Sequence, residues 1–214
     1  MTPPARPRIL YLHGFASGPS SGKARFFAGQ FRGRGVGLEI PDLAAGDFQH
    51  LTISSQLRVI DTLARGEPVS LIGSSMGGYL AAIYAACHPE VRRVVLLAPA
   101  FGFARRWPES LGAEKVAAWK QAGEMEVFHY AEDRPLRLGY ALLEDGLAYP
   151  DYPDFRQPAL IFHGARDEVV PARYSEEFAA AHPNVRLEVL DSGHELHNVL
   201  EYMAPQVTAF LLDS

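Results

Sequence analysis

Ser75 is the residue whose surroundings most favour nucleophilic chemistry. It is the central serine of a G-x-S-x-G motif, Gly73–Gly77, which follows the apolar run Val69–Ile72 and precedes a segment with helical spacing. A nucleophile at the tip of a sharp strand-to-helix turn has a strained backbone, and small residues two positions before and after it prevent a steric clash. The helix that follows directs its N–H groups toward the reaction site. The alternative, that the serines only cap a helix, is disfavoured by the strand before them and the glycines after them.

A serine hydroxyl needs a base that takes its proton during attack, and eight histidines compete for this role. His194 fits best, because it follows the last apolar run, Leu187–Leu190, and would lie at the same sheet edge as the serine. His197, one helical turn further on, is the second candidate. His13 and His163 precede glycines at strand ends, where a structural or oxyanion-loop role is favoured. The other histidines precede proline at helix ends or have no supporting pattern: His50, His88, His129 and His182.

The histidine in turn needs a carboxylate that fixes its tautomer and stabilises the imidazolium. Asp167 follows the apolar run Leu160–Phe162 after a short turn, so it would also lie at the C-terminal edge of the sheet. Glu168 is the neighbouring competitor. Asp191 is too close to His194 in sequence to reach it comfortably.

The developing oxyanion requires two hydrogen-bond donors. We expect one to be the backbone N–H of Met76, the residue after the nucleophile, and the other to be the N–H of Phe15 in the loop after the first strand. His13 and Gly14 belong to the same loop, and Gly14 allows the backbone to approach the substrate closely. The side chains of Met76 and Phe15 then only need to pack.

The elements that must position these residues alternate between short apolar runs and longer segments with helical spacing. The predicted strands are Ile9–Leu12, Leu38–Ile40, Val69–Ile72, Val94–Leu97, Leu160–Phe162 and Leu187–Leu190. The predicted helices are Ser21–Phe31, Leu51–Leu63, Gly77–Cys87, Ala172–Ala181 and Leu196–Leu211. Continuous apolar strands separated by helices indicate a mostly parallel sheet covered on both faces. We therefore predict a single α/β domain over residues 1–214.

The segment Ala100–Phe155 breaks this alternation, because it has no clear strand but ten aromatic residues. A loop of this length inside a compact domain is rarely without structure. We predict a partly helical, cap-like insertion at about 100–155, after the fourth predicted strand and over the C-terminal edge of the sheet. Its aromatic side chains would either shape an apolar acyl pocket or form a small core of the cap itself.

Composition argues against several classes of partner. A formal net charge of -5 gives no electrostatic reason to expect nucleic acid or an anionic membrane.

The single cysteine, Cys87, allows no intrachain disulfide, and its place late in an apolar helical segment predicts a buried, inert thiol. The only apolar run near the N-terminus, Ile9–Leu12, is too short for a signal peptide or a membrane span, so we expect a cytoplasmic protein.

Two motifs that suggest cofactors do not fit their patterns. The segment Gly18–Lys23 has one residue too few between its glycines for a phosphate loop, and Ala24 stands where Ser or Thr would hold magnesium. A helix cap at Ser20 or Ser21 explains the same residues. In His194–His197 the second histidine comes one residue too early for a zinc motif. We therefore expect neither a cofactor nor a metal.

Four motifs together resemble the α/β-hydrolase superfamily, and within it the small bacterial serine esterases and acyl thioesterases. They are Tyr11–Phe15, Gly73–Gly78, His163–Asp167 and Ser192–His194, and the chain order Ser, Asp, His is also the order of that superfamily. The resemblance implies a three-layer fold in a minimal version, whose sheet starts near the equivalent of the usual third strand.

The resemblance also implies an acyl-enzyme mechanism without a cofactor. The expected substrate is a small carboxylic ester with a short to medium acyl chain. An acyl thioester would pass through the same tetrahedral oxyanion, so acyl thioesterase activity stays open. A non-catalytic binding module on the same fold and an acyltransferase are further alternatives.

Overall fold

The computed structural model describes residues 7–212, so residues 1–6 and 213–214 of the predicted domain lie outside the described residues. The strands in the described part are β1 (Arg8–Leu12), β2 (Leu38–Glu39), β3 (Val69–Ser74), β4 (Val91–Leu97), β5 (Glu124–His129), β6 (Arg134–Gly139), β7 (Ala159–Gly164) and β8 (Val185–Leu190). The α-helices there are α1 (Gly22–Arg32), α2 (Ile53–Ala64), α3 (Met76–Cys87), α4 (Phe103–Leu111), α5 (Ala113–Ala122), α6 (Ala141–Gly146), α7 (Arg173–Ala181) and α8 (Leu200–Leu212). No helix within residues 7–212 has the length and apolar character needed to cross a membrane.

Six strands form one sheet in the order β2-β1-β3-β4-β7-β8, and every neighbouring pair is parallel. Leu12 of β1 is paired with Gly73 of β3, and Ser74 of β3 is paired with Leu97 of β4. The C-terminal ends of these central strands therefore lie along one edge, where open α/β sheets bind their ligands.

Helices cover both faces of this sheet, which confirms the predicted three-layer fold. Successive side chains of a strand point to opposite faces. In β1, Ile9 and Tyr11 pack with α1 and α8, whereas Leu10 and Leu12 pack with α2 and α3 on the other side. Every residue of β3 is buried, as expected for a strand covered on both faces.

The prediction that the segment 100–155 lacks strands was wrong. After α4 and α5, the strands β5 and β6 form a separate two-stranded antiparallel sheet, and α6 follows. The apolar residues Met125 and Val127 alternate with charged residues, as do Leu136 and Leu138. The prediction missed this hairpin because it relied on continuous apolar runs, whereas a hairpin with one exposed face has a period of two.

Two local predictions also need correction. Cys87 is exposed rather than buried, because it is the last residue of α3, where the helix leaves the core. The helix predicted from Leu196 begins at Leu200, since Leu196 itself has a left-handed φ of 55° and a short 3₁₀ turn, His197–Val199, precedes α8.

Candidate active site

Ser75 lies in the tight turn between β3 and α3. Its φ of 54° and ψ of -116° are sparsely populated for a residue with a side chain. The glycines of the motif permit this turn by close backbone approach. A Cβ atom at Gly73 would lie 2.3 Å from the carbonyl oxygen of Gly77, and one at Gly77 would lie 2.1 Å from the carbonyl oxygen of Leu12. The motif is therefore required by the packing of β1, β3 and α3.

Three side chains from distant parts of the chain meet at this turn in a chain of hydrogen bonds. The Oγ of Ser75 lies 2.9 Å from Nε2 of His194, and Nδ1 of His194 lies 2.7 Å from Oδ2 of Asp167. Because an ionised carboxylate only accepts hydrogen bonds, Nδ1 carries the ring proton and Nε2 is free to accept the serine proton. The structure thus brings together the three residues that the sequence singled out.

Asp167 is held in a buried, strongly hydrogen-bonded environment. Its Oδ1 accepts the N–H groups of Val169 at 2.9 Å and Val170 at 2.7 Å. Nε2 of His163 lies 3.1 Å from Oδ2. Burial alone would raise the pKa of Asp167, but hydrogen bonds with His163, His194 and the Val170 N–H outweigh it and hold the pKa well below its usual range. The carboxylate therefore stays ionised.

The loops that carry Asp167 and His194 are packed against each other. A Cβ atom at Gly164 would lie 2.4 Å from the carbonyl oxygen of Gly193, so only glycine fits at the end of β7. The N–H of Arg166 also donates to the carbonyl of Ser192 at 2.9 Å. This contact fixes the distance between the carboxylate and the imidazole.

The competing candidates do not reach the nucleophile. His197 is exposed and starts the 3₁₀ turn. Glu168 is exposed, and Asp191 is exposed and forms an ion pair with Arg166.

The loop after β1 lies directly against Ser75. A Cβ atom at Gly14 would be 3.4 Å from the Cβ of Ser75. Within residues 7–212, neither the N–H of Phe15 nor that of Met76 donates a hydrogen bond to another protein group. Both N–H groups are therefore free to act as donors to a ligand beside Ser75.

His13 fixes the orientation of the Gly14–Phe15 peptide. The N–H of Leu43 donates to Nε2 of His13 at 3.2 Å, so the ring proton is on Nδ1, which lies 3.0 Å from the carbonyl oxygen of Gly14. Burial lowers the pKa of His13 and favours this neutral form. In a trans peptide the C=O and N–H point in opposite directions. Holding the carbonyl of Gly14 therefore directs the N–H of Phe15 away from His13.

Lys23 is a buried contact of the site that sequence reasoning did not find. Its Nζ donates to the carbonyl oxygen of Glu195 at 3.0 Å and lies 3.5 Å from the carboxylate of the same residue. It thereby links α1 to the loop that carries His194. Lys23 belongs to the segment rejected as a phosphate loop. There Ser21 accepts the N–H of Ala24 as a helix cap, which confirms the alternative explanation.

Aromatic side chains of the insertion pack both on the site and on each other. The Trp107 ring lies 5.3 Å from the ring of Phe15 and 5.4 Å from that of Trp119, which is buried. Trp119 also donates its indole N–H to the carbonyl of Leu138 in the hairpin. Part of the predicted aromatic pocket is therefore the core of the cap itself.

Comparison with known proteins places the chain in a family. A family model described as "Uncharacterised protein family (UPF0227)" matches residues 8–212. The chain belongs to UPF0227. The match covers every strand of the main sheet and all of the residues described above, so the site lies inside the part that defines the family.

This UPF0227 protein is also similar to curated and solved proteins over most of its length. It is 26% identical to the pimeloyl-[acyl-carrier protein] methyl ester esterase of Xanthomonas campestris pv. campestris (strain B100), with 87% of each chain covered. It is 27% identical to the enzyme of that name from Xylella fastidiosa (strain 9a5c), covering 96% of this chain and 93% of the relative. Mouse alpha/beta hydrolase domain-containing protein 10 superposes with a TM-score of 0.76 at 20% identity, covering 94% and 88% of the chains. The UPF0227 chain therefore has the α/β-hydrolase fold.

Proposed function

We propose that this UPF0227 protein is a serine carboxylesterase that cleaves small carboxylic esters. The observation that carries the proposal is the hydrogen-bond chain from Ser75 through His194 to the buried, ionised Asp167. This constellation activates a serine hydroxyl in hydrolases of unrelated folds, because it is defined by geometry and not by sequence position.

In the proposed acylation step, Oγ of Ser75 attacks the ester carbonyl carbon while its proton passes to Nε2 of His194. Asp167 stabilises the imidazolium, and the N–H groups of Phe15 and Met76 donate to the oxyanion. When the tetrahedral intermediate collapses, the carbon–oxygen bond to the alcohol breaks and His194 returns the proton to the leaving oxygen. The acyl group remains on Ser75.

In the proposed deacylation step, water takes the place of the alcohol. His194 accepts a proton from the water as it attacks the acyl carbon, and the same two N–H groups donate to the second oxyanion. Collapse of this intermediate returns the proton from His194 to Ser75 and releases the carboxylic acid. All of these proton transfers use groups of the chain itself.

The relatives support an ester rather than a thioester as the bond that is cleaved. Two curated proteins of similar length, each related over most of this chain, are named as methyl ester esterases. A thioester would react through the same intermediates. Short to medium acyl chains remain the proposed range.

Replacement of Ser75 tests the proposal. Because the three residues act as a unit, Ser75→Ala should lower the turnover of p-nitrophenyl butyrate by about 10⁶-fold. A fluorophosphonate should label the wild-type protein rapidly and Ser75→Ala not at all. Ser74→Ala removes a neighbouring hydroxyl and serves as the matched control that keeps both signals. Near-normal turnover by Ser75→Ala would refute the role of Ser75, and a wild-type protein that resists labelling and cleaves no ester would indicate a binding module.

A further inference from the structure

Arg106 of the cap contacts the loop that carries Asp167, and no carboxylate within residues 7–212 forms an ion pair with it. Nη1 of Arg106 donates to the carbonyl oxygen of Val169 at 2.6 Å. Its Nε is buried and has no hydrogen-bond partner within residues 7–212. The preceding residue behaves as most surface arginines do, since Nε of Arg105 lies 2.8 Å from Oδ2 of Asp151. Unlike Arg105, Arg106 therefore has a positive charge that no ion pair within residues 7–212 neutralises.

Helix α4 carries Arg106 across the edge of the sheet where Ser75 lies. The next residue, Trp107, contacts Phe15, which follows β1, whereas Arg106 bonds to Val169, which follows β7. In the sheet, β3 and β4 lie between β1 and β7, and Ser75 is at the end of β3. Two consecutive residues of α4 thus contact loops on opposite sides of the nucleophile.

The guanidinium keeps most of its hydrogen-bonding capacity. Arginine remains protonated in proteins and has five N–H donors, of which residues 7–212 use one here. The ring of Tyr174, 5.6 Å away, offers a cation–π contact but no full negative charge. The carboxylate of Asp167 is already bonded to His194 and two backbone N–H groups.

Burial lowers the pKa of Arg106, because taking a charge out of water is unfavourable, and the nearby Tyr174, Asp167 and Glu109 offset this effect only in part. A bound anion would supply an opposite charge and accept hydrogen bonds from the Nη groups, since Nε itself is buried. Arginine and carboxylate fit each other well, because the planar guanidinium can donate two parallel hydrogen bonds.

We propose that Arg106 binds a carboxylate carried by the ester substrate. The enzyme then favours esters with a free carboxylate on the acyl chain or on the alcohol over neutral esters of the same shape. This inference rests on the proposed function of Ser75 and adds the chemical class of the substrate.

Two matched pairs of esters test the inference and distinguish the two sources of the carboxylate. Monomethyl adipate and its monoamide differ by a charge on the acyl chain. The butyrate esters of p-hydroxybenzoate and p-hydroxybenzamide differ by a charge on the leaving group. The measurement is the ratio of kcat/KM for the charged and the neutral member of each pair, in the wild type, Arg106→Gln, Arg106→Lys and Arg105→Gln.

In at least one pair, the charged-to-neutral ratio of kcat/KM should be about tenfold or more higher for the wild type than for Arg106→Gln. This is the difference expected for a charge-assisted hydrogen bond. The ratio for Arg106→Gln corrects for the intrinsic reactivity of the two esters. Arg106→Lys should keep part of the preference, and Arg105→Gln, on the same helix, should keep all of it. High salt should reduce the preference of the wild type.

The inference is overturned if Arg106→Gln and the wild type have the same ratio in both pairs. It is also overturned if salt leaves the wild-type ratio unchanged, which is a measurement that does not depend on how a variant folds. In both cases hydrolysis of the neutral esters and labelling of Ser75 would still support the esterase function. If the wild type hydrolyses no ester of either pair and the fluorophosphonate does not label it, the proposed esterase function itself is refuted.

Discussion

The ammonium group of Lys23 donates a 3.0 Å hydrogen bond to the carbonyl of Glu195, the residue that follows His194. Lys23 is buried, and burial lowers its pKa, which Glu195 partly opposes. A buried cation is costly unless its hydrogen bonds are made, so this contact holds α1 and the histidine loop in one arrangement.

Replacing Lys23 with Met should misplace the imidazole without removing it. We expect kcat for p-nitrophenyl butyrate to fall by about 100-fold with a smaller change in KM, because small displacements of catalytic groups cost about this much. The exposed Lys115 of α5 provides the control, Lys115→Met, which should behave as the wild type. A Lys23→Met variant that melts at a lower temperature but keeps its kcat would show that the contact only stabilises the fold.

His13 should affect the rate through the peptide that it holds. His13→Leu cannot donate to the carbonyl of Gly14, so the N–H of Phe15 loses its orientation, and we expect kcat to fall by about 10²- to 10³-fold, as for loss of one oxyanion donor. His13→Asn keeps a donor at the position of Nδ1 and should recover part of the rate. Steady-state kinetics give kcat for both variants. Equal kcat values for His13→Leu and His13→Asn would contradict the orienting role of His13.

The lowered pKa of Asp167 predicts how stability depends on pH. An aspartate has a pKa of about 3.9 in the unfolded chain, and that of Asp167 is lower in the folded protein. Ionised Asp167 therefore contributes fully to the free energy of unfolding at pH values above its pKa in the unfolded chain. This contribution is lost as the pH falls from about 5 toward the lower pKa in the folded protein. In urea unfolding measured over this pH range, the free energy of unfolding should fall more steeply with decreasing pH for the wild type than for Asp167→Asn. Parallel curves for the two proteins would contradict the lowered pKa.

The glycines of the turn and of α1 should respond oppositely to alanine. A methyl group at Gly77 would meet the carbonyl of Leu12 at 2.1 Å, so Gly77→Ala should leave little folded protein. Gly29 lies in α1 with no atom within 4 Å of the added carbon, so Gly29→Ala should stabilise the protein by about 0.5–1 kcal/mol. Thermal unfolding of the two variants measures both effects, and a stable Gly77→Ala protein would contradict the close approach of α3 to β1.

The amino-acid sequence was sufficient for the turn at Ser75 and for the positions of the six main strands along the chain, but not for their order in the sheet. The motif around Ser75, its preceding strand and its following helix are adjacent in the chain, so local sterics and apolar patterning define them. The sequence also favoured His194 over His197, because His194 lies closer to the end of the last predicted strand, Leu187–Leu190. The hairpin of the cap was detectable from its period of two, but a short, half-exposed pair of strands gives a weak signal.

Tertiary structure alone decided which groups surround these residues. The contact of Lys23 with Glu195 joins positions 172 residues apart, and the bond from Arg106 to Val169 joins positions 63 apart. Neither has a local pattern, because a single polar side chain can be paired with any segment that folding brings near. The sequence determined which residues lie at the ends of the strands, and packing of α1 and α4 against those ends determined what each of them contacts.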